Sequence, residues 1–177
     1  FPSQETLDLM RLMDRTGSWS EERDYIEYIQ AADPRRLPGE ALRVIESGLA
    51  SGKLRANDTF VTDARAIARE RLAADQASLP GLERDARLAN ATGASVVGAA
   101  DAFLSYDQPA KAEELYTIAL TKPGIDTARA LTRLGIAQYD QGKYAEAQAT
   151  FARIEGARRH MAQLWALAAA QKASPAS

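Results

Sequence analysis

The stretch LGIAQYDQGKYAEAQATF, residues 134–151, holds no residue that obviously does chemistry, yet its small and aromatic residues fall at fixed intervals. With Leu131 just before it, Leu134 and Gly135 share one helical face; Ala147 and Phe151, four apart, share the face of a second helix. Gly142 lies between them and can end the first helix in a left-handed conformation, so that the chain reverses. The spacing predicts an antiparallel helix hairpin with Gly135 and Ala147 at the crossing. Only small residues there let two axes approach to about 8–10 Å. Tyr144 and Phe151 then fill the space toward the next hairpin.

The rest of the chain carries similar punctuation. Roughly a fifth of its 177 residues are Ala, the best helix former, and aromatics are only 7%. Gly and Pro separate helical patterns of similar length, and no alternating strand pattern occurs. We expect a first helix over Gln4–Arg15, ended by Thr16-Gly17. Ser20 is the expected N-cap of a second, with Glu21 and Glu22 in its first turn, running to about Ala32 before Pro34. Pro38 opens a third, with Ala41, Ile45 and Leu49 as its buried stripe and Gly52 as its C-cap. A fourth, longer helix begins near Asn57 or Asp58. Its stripe is Val61, Ala64, Ala68 and Leu72, with Arg65 and Arg69 on another face. Pro80 is expected to restart the pattern. Further helices are expected at about 93–106, 109–121, 126–140, 144–155 and 159–172, with a flexible tail at 173–177.

Leu131, Leu134, Gly135, Ala147 and Phe151 reproduce most of the tetratricopeptide pattern Trp-x2-Leu-Gly-x2-Tyr…Ala-x3-Phe, with Gln138 in place of Tyr and no terminal Pro. Val96, Ala99, Ala100 and Phe103, followed by Ala112, Tyr116 and Ala119, form an earlier copy. Tyr25, Tyr28 and Ile29 lead to Ala41 and Ile45 at the same spacing. The segment 57–92 is anchored only by its Leu-Pro-Gly at 79–81, which echoes 37–39. The chain thus resembles a tetratricopeptide repeat protein. Separately, GEALRVIESGLASGKL, residues 39–54, is similar to a block in bacterial repeat proteins.

The resemblance implies an all-α fold: a right-handed α-α superhelix, or solenoid, of stacked antiparallel hairpins. It implies one domain over 1–172, with units at about 22–56, 57–92, 93–127 and 128–158 and a capping helix at 159–172. It also implies a concave groove lined by the first helix of each unit. The groove candidates are Arg129, Thr132, Arg133, Ile136 and Tyr139, then Val97, Asp101 and Leu104, then Arg23, Ile26, Glu27 and Gln30. Arg129 and Arg133, four apart, could grip a carboxylate on one face. Repeat domains that clamp chaperone carboxyl termini use Lys and Asn at groove positions. Asp101 and Ile136 stand where Asn is wanted, so that clamp is not expected.

The expected function is a non-catalytic scaffold that holds a protein or peptide in its groove. The alternative is a structural, self-assembling module of a larger envelope or secretion-associated complex, with Trp165 on the last helix as a contact between copies. No enzyme, cofactor or metal site is expected. His160 is the sole His, Cys is absent, and no Gly-x4-Gly-Lys-Ser/Thr loop occurs. Glu113 and Glu114 are adjacent, diverge on a helix and are expected to be solvated. A net charge of −2, with acids balancing bases along the chain, argues against nucleic acid. No apolar run is long enough to span a membrane. The chain begins Phe1-Pro2 without Met and reads as an excerpt of a longer precursor whose export signal cannot be judged; cytoplasm and periplasm both stay open.

Overall fold

The computed structural model describes residues 2–19 and 21–174. Ser20, the expected N-cap, and residues 175–177 of the expected tail lie outside the described residues. Among the described residues all regular structure is helical. It comprises α1 (Ser3–Thr16), α2 (Glu22–Ala32), α3 (Pro38–Ala50), α4 (Thr59–Ala86), α5 (Gly93–Ser105), α6 (Pro109–Ala119), α7 (Thr127–Asp140), α8 (Tyr144–Phe151), a 3-10 turn at Gly156–Arg158, and α9 (Arg159–Ala173).

The caps follow from residue chemistry. Asp24 accepts the Glu21 amide at 3.2 Å, Thr92 accepts the Ser95 amide at 3.2 Å, and Asp126 accepts the Arg129 amide at 3.0 Å. Pro38 and Pro109 each occupy the first turn of a helix, where a missing N–H costs nothing. α8 stops at Phe151, short of the expected 155. A tight turn follows, in which the Ile154 amide bonds Phe151 carbonyl and Ile154 tucks into the core at 3% exposure.

Two of the hairpins share one turn. Asp107 and Gly142 stand two residues past the ends of α5 and α7 with positive φ (55° and 78°), whereas Asp33 directly follows α2 at φ 61° and ψ 109° and opens a longer link to α3. After α5 and α7 the wrap is the same: the Gln108 amide bonds Phe103 carbonyl, and the Lys143 amide bonds Gln138 carbonyl. Burial keeps one register too. Ala41, Ala112 and Ala147 are fully buried at equivalent positions of α3, α6 and α8, and Ile45, Tyr116 and Phe151 are buried four residues on.

The chain divides into two compact units, Phe1–Ser78 and Leu79–Ser177. The core of the first joins Leu7 and Met10 of α1, Tyr25, Tyr28 and Ile29 of α2, Ala41, Val44 and Ile45 of α3, and Val61 and Ala64 of α4. Trp19 stacks on Tyr25 at 4.2 Å between ring centroids. In the second unit each helix from α5 to α9 packs on its chain neighbour, and α7 also touches α5 and α9. Its aromatic centre is Trp165, stacked on Phe151 at 5.8 Å and edge-on to Tyr139 at 5.5 Å.

One expectation differs at α4. The helix does not restart at Pro80 but runs through it. Proline removes the N–H that Gln76 carbonyl would accept. Residues 69–78 of α4 are exposed or half-exposed, Gln76 among them, so water can take the place of that donor.

Candidate functional site

The expected groove residues of α5 and α7 lie together, but mostly inside. Arg133 is 1% exposed and Ile136 not at all; Leu104 and Tyr139 are also buried. Thr132 is buried, its hydroxyl donating to Ala128 carbonyl at 2.7 Å. Val97, Asp101 and Arg129 are half-buried. Arg133 donates from Nη1 to Asp101 Oδ2 at 2.9 Å, and the Tyr116 hydroxyl donates to the other oxygen of Asp101. Two predicted contact residues, thirty-two positions apart, are therefore paired with each other across α5 and α7. The difference from an open groove has a physical cause: an Arg buried this deeply must be paired, and Asp101 supplies the charge. Arg129 does not join Arg133 in a shared grip. Its Nε lies 3.9 Å from Asp126, in its own first turn.

Another expectation is modified at Glu113. Its carboxylate is half-buried and accepts from Gln138 at 3.1 Å, Gln141 at 2.9 Å and Lys143 at 2.8 Å. Burial works against its charged form, but these donors, with Lys143 first among them, outweigh it and hold the carboxyl below its ordinary range. The Thr150 hydroxyl donates to Gln138 Oε1 at 2.6 Å, extending the chain of bonds into α8. This cluster fastens α6, α7 and α8. Glu114 is exposed and pairs with Arg87 at 2.6 Å.

The N-terminal candidates are placed differently. Arg23, Glu27 and Gln30 are exposed and Ile26 half-buried, forming one continuous stripe along α2. It is the one sequence-predicted set that keeps most of its surface open.

A buried polar network in the first unit falls on none of the expected site residues. Arg11 grips Glu40 with two bonds, Nε to Oε2 at 2.8 Å and Nη2 to Oε1 at 2.7 Å, and donates from Nη1 to Asp8 at 3.0 Å. The Tyr28 hydroxyl donates to Glu40 at 2.6 Å, and Arg43 reaches the same hydroxyl at 3.3 Å. Asp8, Arg11, Tyr28 and Glu40 are each at most 3% exposed. Burial disfavours ionised Glu40, yet the charge and hydrogen bonds of Arg11 prevail and pull its pKa down to about 2. Burial pushes the Tyr28 phenol well up, and the Glu40 charge adds to this. A signal existed in the sequence: Arg11 falls on the apolar stripe of α1, beside Leu7 and Met10, where a charge needs a partner. The network joins α1, α2 and α3.

Trp165, the expected contact between copies, is fully buried within its own unit; the exposed large apolar residues of α9 are Leu164 at 40% and Leu167 at 57%. Among the described residues no helix is long and apolar enough to cross a membrane. Comparisons with protein-family models, curated proteins and solved structures find no match.

Proposed function

We propose that the chain is a non-catalytic helical-repeat scaffold of the tetratricopeptide type that binds a peptide or protein partner. The observation that carries this reading is the shared hairpin packing: one burial register in α3, α6 and α8, with one turn geometry after α5 and α7. A hairpin of this kind cannot bury its apolar face alone, so hairpins stack as a solenoid with a concave surface. In this reading Arg133, Ile136, Tyr139 and Leu104 hold the stack. The contact surface in the first unit is the α2 stripe of Arg23, Ile26, Glu27 and Gln30; in the second unit, taken by itself, the partly open candidates are Val97, Asp101 and Arg129.

The test is capture on the immobilised chain and on an Arg23→Glu/Gln30→Glu variant, both side chains being exposed and free to change without unfolding. A protein held by the chain, lost by the variant, and bound again as a purified component supports the reading. Identical retention by both, or retention by neither, removes the α2 stripe. The second reading, self-assembly, draws on exposed Leu164 and Leu167. Sedimentation that shifts to monomer on Leu164→Gln/Leu167→Gln favours it.

A further inference from the structure

Between the end of α3 and the start of α4 lies a cavity of about 250 Å³. Leu49, Ala56, Thr62, Ala66 and the buried Val61 line it. Arg65 and Arg69 stand at its edge, one turn apart on α4. One acid faces them. Arg65 grips Glu46 with two bonds, at 2.7 and 3.0 Å, and Arg69 reaches the same carboxylate with one long contact at 3.4 Å. Asp58, at the start of the same helix, is engaged as a cap by the Val61 amide at 3.2 Å. Two guanidiniums against one carboxylate leave one positive charge over an apolar hollow. The Arg69 side chain is 56% exposed, with most of its donors turned to water.

We propose that this cavity is a binding site for a short, branched aliphatic carboxylate, with the alkyl group on Leu49 and Val61 and the carboxylate on Arg69. The excess charge is matched by a single anion, and an arginine fork suits a carboxylate geometrically. The volume is below the roughly 300–1,000 Å³ of pockets for drug-sized ligands, which selects a short chain over a long one. A free acid and the carboxyl terminus of a peptide ending in leucine or valine offer the same chemistry. The site lies on α3 and α4 and rests on no part of the scaffold reading; its test leaves the α2 stripe untouched.

The test is titration of the isotope-labelled full chain with sodium isovalerate, followed by amide shifts. The expected result is saturable shifts at Leu49, Val61 and Ala66, with isovaleramide and acetate each at least ~10-fold weaker, about one factor of ten in Kd per 1.4 kcal/mol. Arg69→Gln is expected to weaken isovalerate by a similar factor, with Arg69→Lys recovering part of it. Ala66→Phe, which fills the hollow, is expected to abolish it. Both positions are exposed, and helical circular dichroism checks that each variant folds. A peptide ending in free leucine that binds more than ~10-fold tighter than isovalerate assigns the carboxylate to a peptide terminus. Equal affinity assigns it to a free acid, and either outcome supports the site. No saturable shift, equal binding of isovaleramide, or full affinity in Arg69→Gln overturns it.

Discussion

A methyl group at Gly135 would overlap the ring of Phe151, so this position has no room for even the smallest side chain. Gly135→Ala is expected to cost about 1–3 kcal/mol, the range for overpacking, and Phe151→Leu in the same chain should recover part of it. A denaturant melt of the three variants checks this; equal stability of Gly135→Ala and the parent would place the helix crossing elsewhere. Asp107 and Gly142 hold the same turn with different residues. Asp107 sits at φ 55°, where a side chain is strained, and Gly142 at φ 78°, where none is present. Asp107→Gly should therefore gain up to about 1 kcal/mol and Gly142→Ala should lose about that much or more, read from the shift in melting midpoint. Gly135 and Gly142 were readable in the sequence because their reasons are local. The partner of Arg133 was not. An Arg four residues after another reads as a solvated face, and nothing in its neighbourhood points to Asp101, which the fold brings from another helix.

At the scale of elements, Gly and Pro located most helix ends within a residue or two, since each acts on its own backbone. The end of α8, at Phe151, was one exception and Pro80 the other. Its local rule ends a helix, and the rule was overridden in α4, where the stretch before it is exposed and its orphaned carbonyl can be hydrated. Pro80→Ala restores the missing bond and is expected to raise stability by about 1–3 kcal/mol, with higher ellipticity at the helical minimum. No gain, or a loss, would mean that the proline ring itself is needed by its surroundings. The α3–α4 cavity was also beyond reach of sequence reading. Arg65 and Arg69 were placed correctly off the apolar stripe of α4, but a hollow forms from what is absent, here the larger side chains that Ala56 and Ala66 lack.

At the scale of the molecule, each compact unit has its own core and one tryptophan, Trp19 in the first and Trp165 in the second. The first also holds the buried Glu40 network. With Glu40 at about 2 in the folded chain against an ordinary 4.5, its contribution is fully present above pH 4.5. It is lost as the pH falls from there toward 2, and amounts to on the order of 3 kcal/mol. Stability of the first unit, followed by Trp19 emission in a Trp165→Phe chain, should decline over that window and stay level from pH 5 to 7. Glu40→Gln should flatten the decline, and an unchanged slope would assign the acid sensitivity to other carboxylates. The alanines that let these helices approach have one more consequence. Each buries little hydrocarbon, so unfolding exposes less apolar surface to water than in a core of leucine and phenylalanine. The heat-capacity change should then fall below the usual ~12–15 cal/mol/K per residue, and the stability curve should be shallow, changing little between a cold and a warm environment.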